Sequence, residues 1–328
     1  MDLFFFHHDD YERLYNCTGV DPANSGSPSF GLGLAYILVG IPLEILYIPC
    51  MIVLLKRELR QHSCYKLMFL LGLFDIVTIF IIAPITGYLT MEGAVYCTHS
   101  TLIYICGIAV MFLWCGTCMT SVTLGINRIF DLWSPSWTQT LFGGRRTYWW
   151  FAPPFIYGFG MAWVTHTFCY STLGYGWFNN PYIGMNRTGV DPLQYTSVSH
   201  AFNNVSVIIL LTAIYITLAI SVYIKCRGVN SVRISKIQKQ LIFQSCLVCF
   251  FVIFADAVYV YAQYLPVPAW LVIAGHWGWI ACHGSAVVIY LSCNETIRKG
   301  LFELFRVTTM RAQLSATVTA HHQSATIS

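Results

Sequence analysis

Charge is what this sequence has least of. Lysine, arginine, aspartate and glutamate supply 10% of its 328 residues, against about a quarter in soluble globular domains. Too few charges exist to coat a water-facing surface. With 56% hydrophobic residues and a mean hydropathy of +0.61, this excludes a soluble enzyme, a nucleic-acid binder and a disordered scaffold. Metal motifs are missing as well, since no His-x-x-x-His or His-Glu-x-x-His occurs. The stretch from Met1 to Phe6 has no basic residue and too short an apolar core for a cleaved signal peptide, so the first apolar run is expected to act as the targeting signal. Internal repeats and period-2 alternation are absent, and the latter excludes a membrane barrel. Of the 13 cysteines, Cys50, Cys106, Cys115, Cys118, Cys246, Cys249 and Cys282 lie inside apolar runs as small hydrophobes, so the count implies no disulfide framework.

What the sequence does have is long apolar stretches. About 20 apolar residues cross a hydrocarbon core of roughly 30 Å as a helix, and seven stretches reach that length: Phe30 to Leu55, Leu67 to Leu89, Thr98 to Ile126, Tyr148 to Thr172, Val205 to Ile224, Leu241 to Tyr264 and Ala269 to Leu291. None contains Lys or Arg. Of the 18 basic residues only Arg13 and Arg187 fall on the amino-terminal side of the implied membrane, and the other 16 fall opposite. The positive-inside rule then places the amino terminus outside and the carboxyl terminus in the cytosol. Sequons at Asn16 and Asn186 lie on the outer side and are expected to carry glycans, whereas Asn204 abuts a span and Asn294 is cytosolic.

The expected fold is an all-α membrane protein, a seven-transmembrane helix bundle over 30–292 behind an extracellular segment at 1–29. At 294–306, Ile297, Leu301, Leu304 and Phe305 share a face opposite Arg298, Lys299 and Glu303, which predicts a short amphipathic helix on the inner leaflet. The Ser-, Thr- and Ala-rich stretch at 307–328 reads as a disordered cytosolic tail.

Local residues carry a resemblance. Tyr15-Asn16-Cys17, Leu46-Tyr47-Ile48-Pro49-Cys50, Ser63-Cys64-Tyr65-Lys66-Leu67-Met68, Asp75, Gly93-Ala94-Val95-Tyr96-Cys97, Asn127-Arg128, and then Ile289-Tyr290-Leu291 with Asn294 and Ile297-Arg298, run through the chain in this order. Together they resemble the nematode serpentine chemoreceptors of class T, from about Tyr15 to Phe305. The resemblance implies a G-protein-coupled chemosensory receptor of the plasma membrane, with the cilia of sensory neurons as an expected location. Its partners would be a small-molecule ligand and a heterotrimeric G protein, with no cofactor, metal, nucleic acid or catalytic role. Coupling is expected through a cytosolic surface of Arg128, Lys225, Arg227, Lys236 and Lys239, with positive-inside topology as the alternative for the lysines; at Arg128, Asn127 and Ile129 replace the acid and tyrosine that flank this arginine in rhodopsin-like receptors. Ala286 and Val287 replace the Asn and Pro of their seventh span, and the sixth span has no Trp-x-Pro, so activation by the standard switches is not expected.

Only Cys17, Cys97 and Cys169 would face the oxidising side. Cys97 occupies the position that such receptors bridge to the second outer loop. That loop offers only Cys169, close to the membrane end of its helix, so Cys17 is the favoured partner, with three free thiols as the alternative. The ligand pocket is expected to open outward between the third, fifth, sixth and seventh spans. Its walls would be Tyr104, Tyr261, Tyr264, Trp270, His276 and Trp277, with Gly174 to Phe178 as a lid; the alternative for these aromatics is an interfacial belt.

Three acids, Glu44, Asp75 and Asp256, lie within spans, where each costs about 2.5–3.5 kcal/mol on insertion scales and should face the bundle interior. Asp75 follows Leu71 in the pattern whose acid binds sodium in rhodopsin-like receptors; the alternative is a neutral packing acid. An ion channel or transporter would use the three acids as a path, and an intramembrane zinc hydrolase would build on His276 and His283, seven apart on one helix face.

Overall fold

The computed structural model describes residues 1–21, 25–185, 191–227, 236–265 and 267–306. Asn186 and the tail at 307–328 lie outside the described residues, as do the side chains of Arg227, Lys236 and Lys239. The chain forms a seven-transmembrane helix bundle. The first span is Phe30–Leu54. The second runs from Ser63–Phe80 through a π-helical turn at Ile81–Ile85 into Thr86–Glu92. The third is the long helix Ser100–Trp133, followed by the short helix Pro135–Phe142. The fifth, sixth and seventh are Val198–Arg227, Lys236–Tyr264 and Ala269–Cys293. A further helix occupies 295–306. The third span packs against the second, fourth and fifth, and the sixth lies between the fifth and seventh.

Two local features set the geometry. Pro84 has no N–H to bond the preceding turn, and the wide π turn absorbs its ring. The loosened turn also exposes the Ile82 carbonyl to a neighbouring helix. Next to it the first and second spans touch at Gly33 and Gly87, where a Cβ on either would lie 2.4 or 2.6 Å from the other's carbonyl oxygen, so only glycine permits the approach. Around the belt, Leu38, Ile45, Ile48, Ile209 and Phe250 point outward at 59–62% exposure, a surface suited to lipid.

The fourth span departs from the sequence reading. It is a 3₁₀ stretch, Gly144–Phe151, that passes into the α-helix Ala152–Val164. Pro153 and Pro154 fit only the first turn of an α-helix, so regular winding begins there. At about 2.0 and 1.5 Å per residue the two parts still span roughly 35 Å. The helix then stops at Val164 instead of continuing to Thr172. Beyond it the chain forms an antiparallel hairpin of strand β1, Cys169–Ser171, and strand β2, Gly176–Phe178, with Tyr170 opposite Trp177. Cys169 is therefore on a strand rather than at a helix end.

Candidate functional site

The end of the bundle that carries the amino-terminal segment, here the N-terminal face, is capped by that segment and the hairpin. Cys17 and Cys97 form a disulfide with their Cα atoms 5.5 Å apart, while Cys169 is a buried free thiol whose pKa is pushed well up by burial. Upstream of Cys17, helices Asp2–Phe5 and His8–Leu14 lie over the third span. The Tyr104 ring is covered by Phe4, Tyr11 and Tyr15, with centroids 5.4, 4.9 and 5.1 Å away. Tyr182 and Tyr195 donate hydrogen bonds to the Leu14 carbonyl at 3.1 and 2.7 Å. The hairpin presses on the third span at Gly107, where a Cβ would overlap the Phe168 carbonyl. Trp177 from β2 is buried and donates to Thr86 Oγ1 at 3.0 Å, just past the π turn.

Beneath the hairpin lies a cavity of about 280 Å³ lined by Trp114, Phe168, Trp177, His200, Asn204, Tyr259 and Trp279. A second space of about 560 Å³ shares Phe168, Trp177, His200 and Tyr259 and extends toward Asn179, Asn180 and Tyr195. Among the described residues, no Asp, Glu, Lys or Arg lines either. The wall is held by side-chain hydrogen bonds: Trp114 Nε1 donates to Asn204 Oδ1 at 3.2 Å, and Asn203 Nδ2 donates to the same oxygen at 2.9 Å.

The cavity floor joins a buried polar network. Trp279 Nε1 donates to His283 Nε2 at 3.1 Å, so that nitrogen is an acceptor and the ring proton sits on Nδ1, which donates to Asp75 Oδ1 at 2.7 Å. Tyr47 donates to the His283 carbonyl, and its oxygen lies 3.0 Å from Asp75 Oδ2. Trp279, His283 and Tyr47 are the donors of this network, the single Tyr47 proton being shared by the His283 carbonyl and Asp75 Oδ2. Both Asp75 oxygens are engaged by protein groups. Helices one, two and seven are thereby tied at one point.

At the opposite, C-terminal face, Arg128 is 4% exposed. Its Nη2 is 3.7 Å from Met68 Sδ, its Nε has no partner, and no ion pair on it is found among the described residues. Asn127 Nδ2 donates to Ser63 Oγ at 2.9 Å. Arg128 divides a cavity of about 420 Å³ containing Ser121, Tyr215 and Tyr290 from an open one of about 1050 Å³ containing Tyr65, Asn127, Asp131 and Gln139. In the helix at 295–306, Ile297 and Leu301 are buried against the bundle while Phe302 and Phe305 face outward. Lys56 bonds Glu303 at 2.8 Å and holds its carboxyl below the usual range.

The structure does not gather the six pocket residues named from sequence. Tyr261, Tyr264 and Trp270 face outward at 47, 55 and 68% exposure, because they lie off the helix faces that meet the bundle. Trp277 packs on Tyr36 at 4.9 Å, and Tyr104 lies under the amino-terminal segment. His276 is buried, with Nε2 2.8 Å from the Ile82 carbonyl. Sequence reasoning missed Trp114, His200, Asn204, Tyr259 and Trp279. A signal existed for two of them. Trp279 lies three residues after His276 and four before His283, on the face those histidines define, and Tyr259 lies three after Asp256.

The histidines serve different partners, and no group of three or more metal-ligating side chains is found among the described residues. Nor does any hydrogen bond join Asp75 to Glu44 or Asp256 there. Glu44 Oε1 and both Asp256 oxygens are buried without partners among the described residues.

Comparison with known proteins gives two matches. A family model described as serpentine type 7TM GPCR chemoreceptor Srt matches residues 1–314. A curated relative, serpentine receptor class T-55 of Caenorhabditis elegans, is 22% identical over 304 residues, covering 89% of this chain and 80% of the relative.

Proposed function

Because the chain belongs to the serpentine Srt family of seven-transmembrane chemoreceptors, a family of receptors and not of enzymes, we propose that it senses a small environmental molecule and signals to a heterotrimeric G protein. The N-terminal face would be extracellular and the C-terminal face cytosolic, as the 16-to-2 division of basic residues supports. The receptor would act at the plasma membrane, with sensory cilia as the site where such a function is useful.

One observation carries the reading. An uncharged aromatic cavity near the outer face has as its floor Trp279, which is hydrogen-bonded through His283 to Asp75 on another helix. A ligand that favours a different Trp279 position shifts the population away from the packing that ties helices one, two and seven. This route replaces the missing sixth-span switch. The inner ends would then separate around Arg128, which in the resting packing is buried beside the open cytosolic cavity. Asp75 serves here as the packing acid.

The test is expression in a reporter cell with second-messenger readout across a panel of small uncharged odorants and charged controls. A G-protein-dependent response to uncharged members supports the reading. A ligand-gated current that persists without G protein would replace it with the channel reading.

A further inference from the structure

Asp75 and Asp256 are buried inside the bundle, as expected of acids within spans, but Glu44 is not. It is half-buried on the first span, between a buried side marked by Gly40 and Tyr47 and an outward side where Ile41, Ile45 and Ile48 are 46, 61 and 59% exposed. Its carboxyl group lies beside the Phe80 backbone of the second span. Phe80 and Val77 of that span are themselves 54 and 47% exposed, so the acid sits in the groove between the first two spans, on the lipid side. Among the described residues, Glu44 Oε1 is buried without a hydrogen-bond partner and no ion pair on Glu44 is found.

Depth decides what can complete it. Glu44 lies 14 residues after Phe30 and 10 before Leu54, about 21 and 15 Å from the helix ends at 1.5 Å per residue. That is near the middle of a hydrocarbon core roughly 30 Å thick, with headgroups and water about 15 Å away. Another protein helix is the remaining source of a polar group. A second copy of this chain does not supply a cation, because none of its seven apolar stretches contains Lys or Arg. We propose that the groove between the first and second spans docks the transmembrane helix of a different protein, one that carries a single Lys or Arg at mid-membrane depth. The cation pairs with Glu44, and the apolar remainder of the helix packs on Ile41, Ile45, Ile48, Val77 and Phe80. A lone charge on either helix is costly in hydrocarbon, and pairing offsets both costs at once. The proposal is independent of the ligand cavity.

The experiment uses the full chain in lipid vesicles with synthetic leucine-rich helices of about 21 residues, long enough to span. They are identical except for Lys, Gln or Leu at the centre, and a fourth carries its Lys about two turns nearer one end. Binding is read by energy transfer from the receptor's tryptophans to a dye on the helix, and its place by a photo-cross-linker at the helix centre. The central-Lys helix is expected to bind at least about tenfold tighter than the central-Leu and shifted-Lys helices, as one polar contact between membrane helices implies, and to cross-link to the first two spans. Glu44→Gln should reduce that preference to about threefold or less, while Cys50 and Cys282 stay protected from a thiol-reactive dye and so report an intact fold. Equal binding of the Lys and Leu helices, tighter binding of the Gln helix, a preference that survives Glu44→Gln, or cross-links elsewhere on the belt would overturn the proposal. So would receptor self-association, without any added helix, that Glu44→Gln abolishes, since the groove would then join two copies of this chain.

Discussion

Asp75→Asn and Asp75→Ala should behave very differently. Asp75 accepts from His283 Nδ1 through one oxygen, and its other oxygen pairs with the Tyr47 hydroxyl. An asparagine amide keeps both contacts, with its oxygen toward His283 and its N–H toward the Tyr47 oxygen, whose own proton goes to the His283 carbonyl. Alanine strands the His283 Nδ1–H at a site where histidine and acid are both essentially inaccessible. An orphaned buried donor costs about 1–3 kcal/mol, and the deleted carboxyl leaves a cavity that adds to it. At roughly 2–4 °C per kcal/mol for domains of 150–250 residues, the alanine variant should melt on the order of 5 °C below wild type. The asparagine variant should melt close to wild type. Heating the protein in nanodiscs with a thiol-reactive dye measures this directly, because Cys50, Cys115, Cys118 and Cys282 are buried and react only on unfolding. An Asp75→Asn variant as unstable as Asp75→Ala would show that these hydrogen bonds depend on the charge of the acid, and the reading of Asp75 as a packing acid would be wrong.

Peptide mapping without reductant should recover Cys17 linked to Cys97 and Cys169 as a thiol that alkylates slowly in the folded protein, given its burial and raised pKa; rapid quantitative alkylation of Cys97 would contradict the cap. Glycosidase treatment should increase gel mobility through Asn16, which is exposed, and an antibody to a carboxyl-terminal tag should stain only permeabilised cells; staining of intact cells would reverse the topology. Arg128→Ala should reach the surface, bind agonist and lose most G-protein coupling; normal signalling would remove Arg128 from the coupling surface.

The sequence made the spans legible because lipid imposes one requirement, apolar length, on all of them. The end of the fourth is misplaced because Thr165 to Thr172, though rich in Thr, Ser and His, carries no Lys, Arg, Asp or Glu to mark a membrane boundary. The hairpin it enters is buried under the cap, with Tyr170 and Trp177 at 0% and 1% exposure, and lack of charge does not separate a buried strand from a buried helix. Burial of an intramembrane acid was readable at Asp75, yet its partners were not, since Tyr47 and His283 lie 28 and 208 positions away. A cavity lies at the end of the bundle where the sequence reading expects a pocket, but other residues line it. Tyr261, Tyr264 and Trp270 were attractive as aromatics near a membrane boundary, a property that gives depth but not helix face, and the inward faces were marked instead by Asp256, His276 and His283.

The central claim is that an uncharged ligand beneath the hairpin acts through Trp279 on a G protein. It is tested most directly by nucleotide exchange on purified heterotrimeric G protein with the receptor in nanodiscs, comparing wild type with Trp279→Phe, which keeps an aromatic floor but cannot donate to His283. Agonist should accelerate exchange at the wild-type receptor. Trp279→Phe should still bind agonist, within about tenfold of wild type, while its agonist-dependent exchange is uncoupled from occupancy, being either raised without agonist or lost with it. A Trp279→Phe receptor whose basal and agonist-driven exchange both match wild type would contradict the claim.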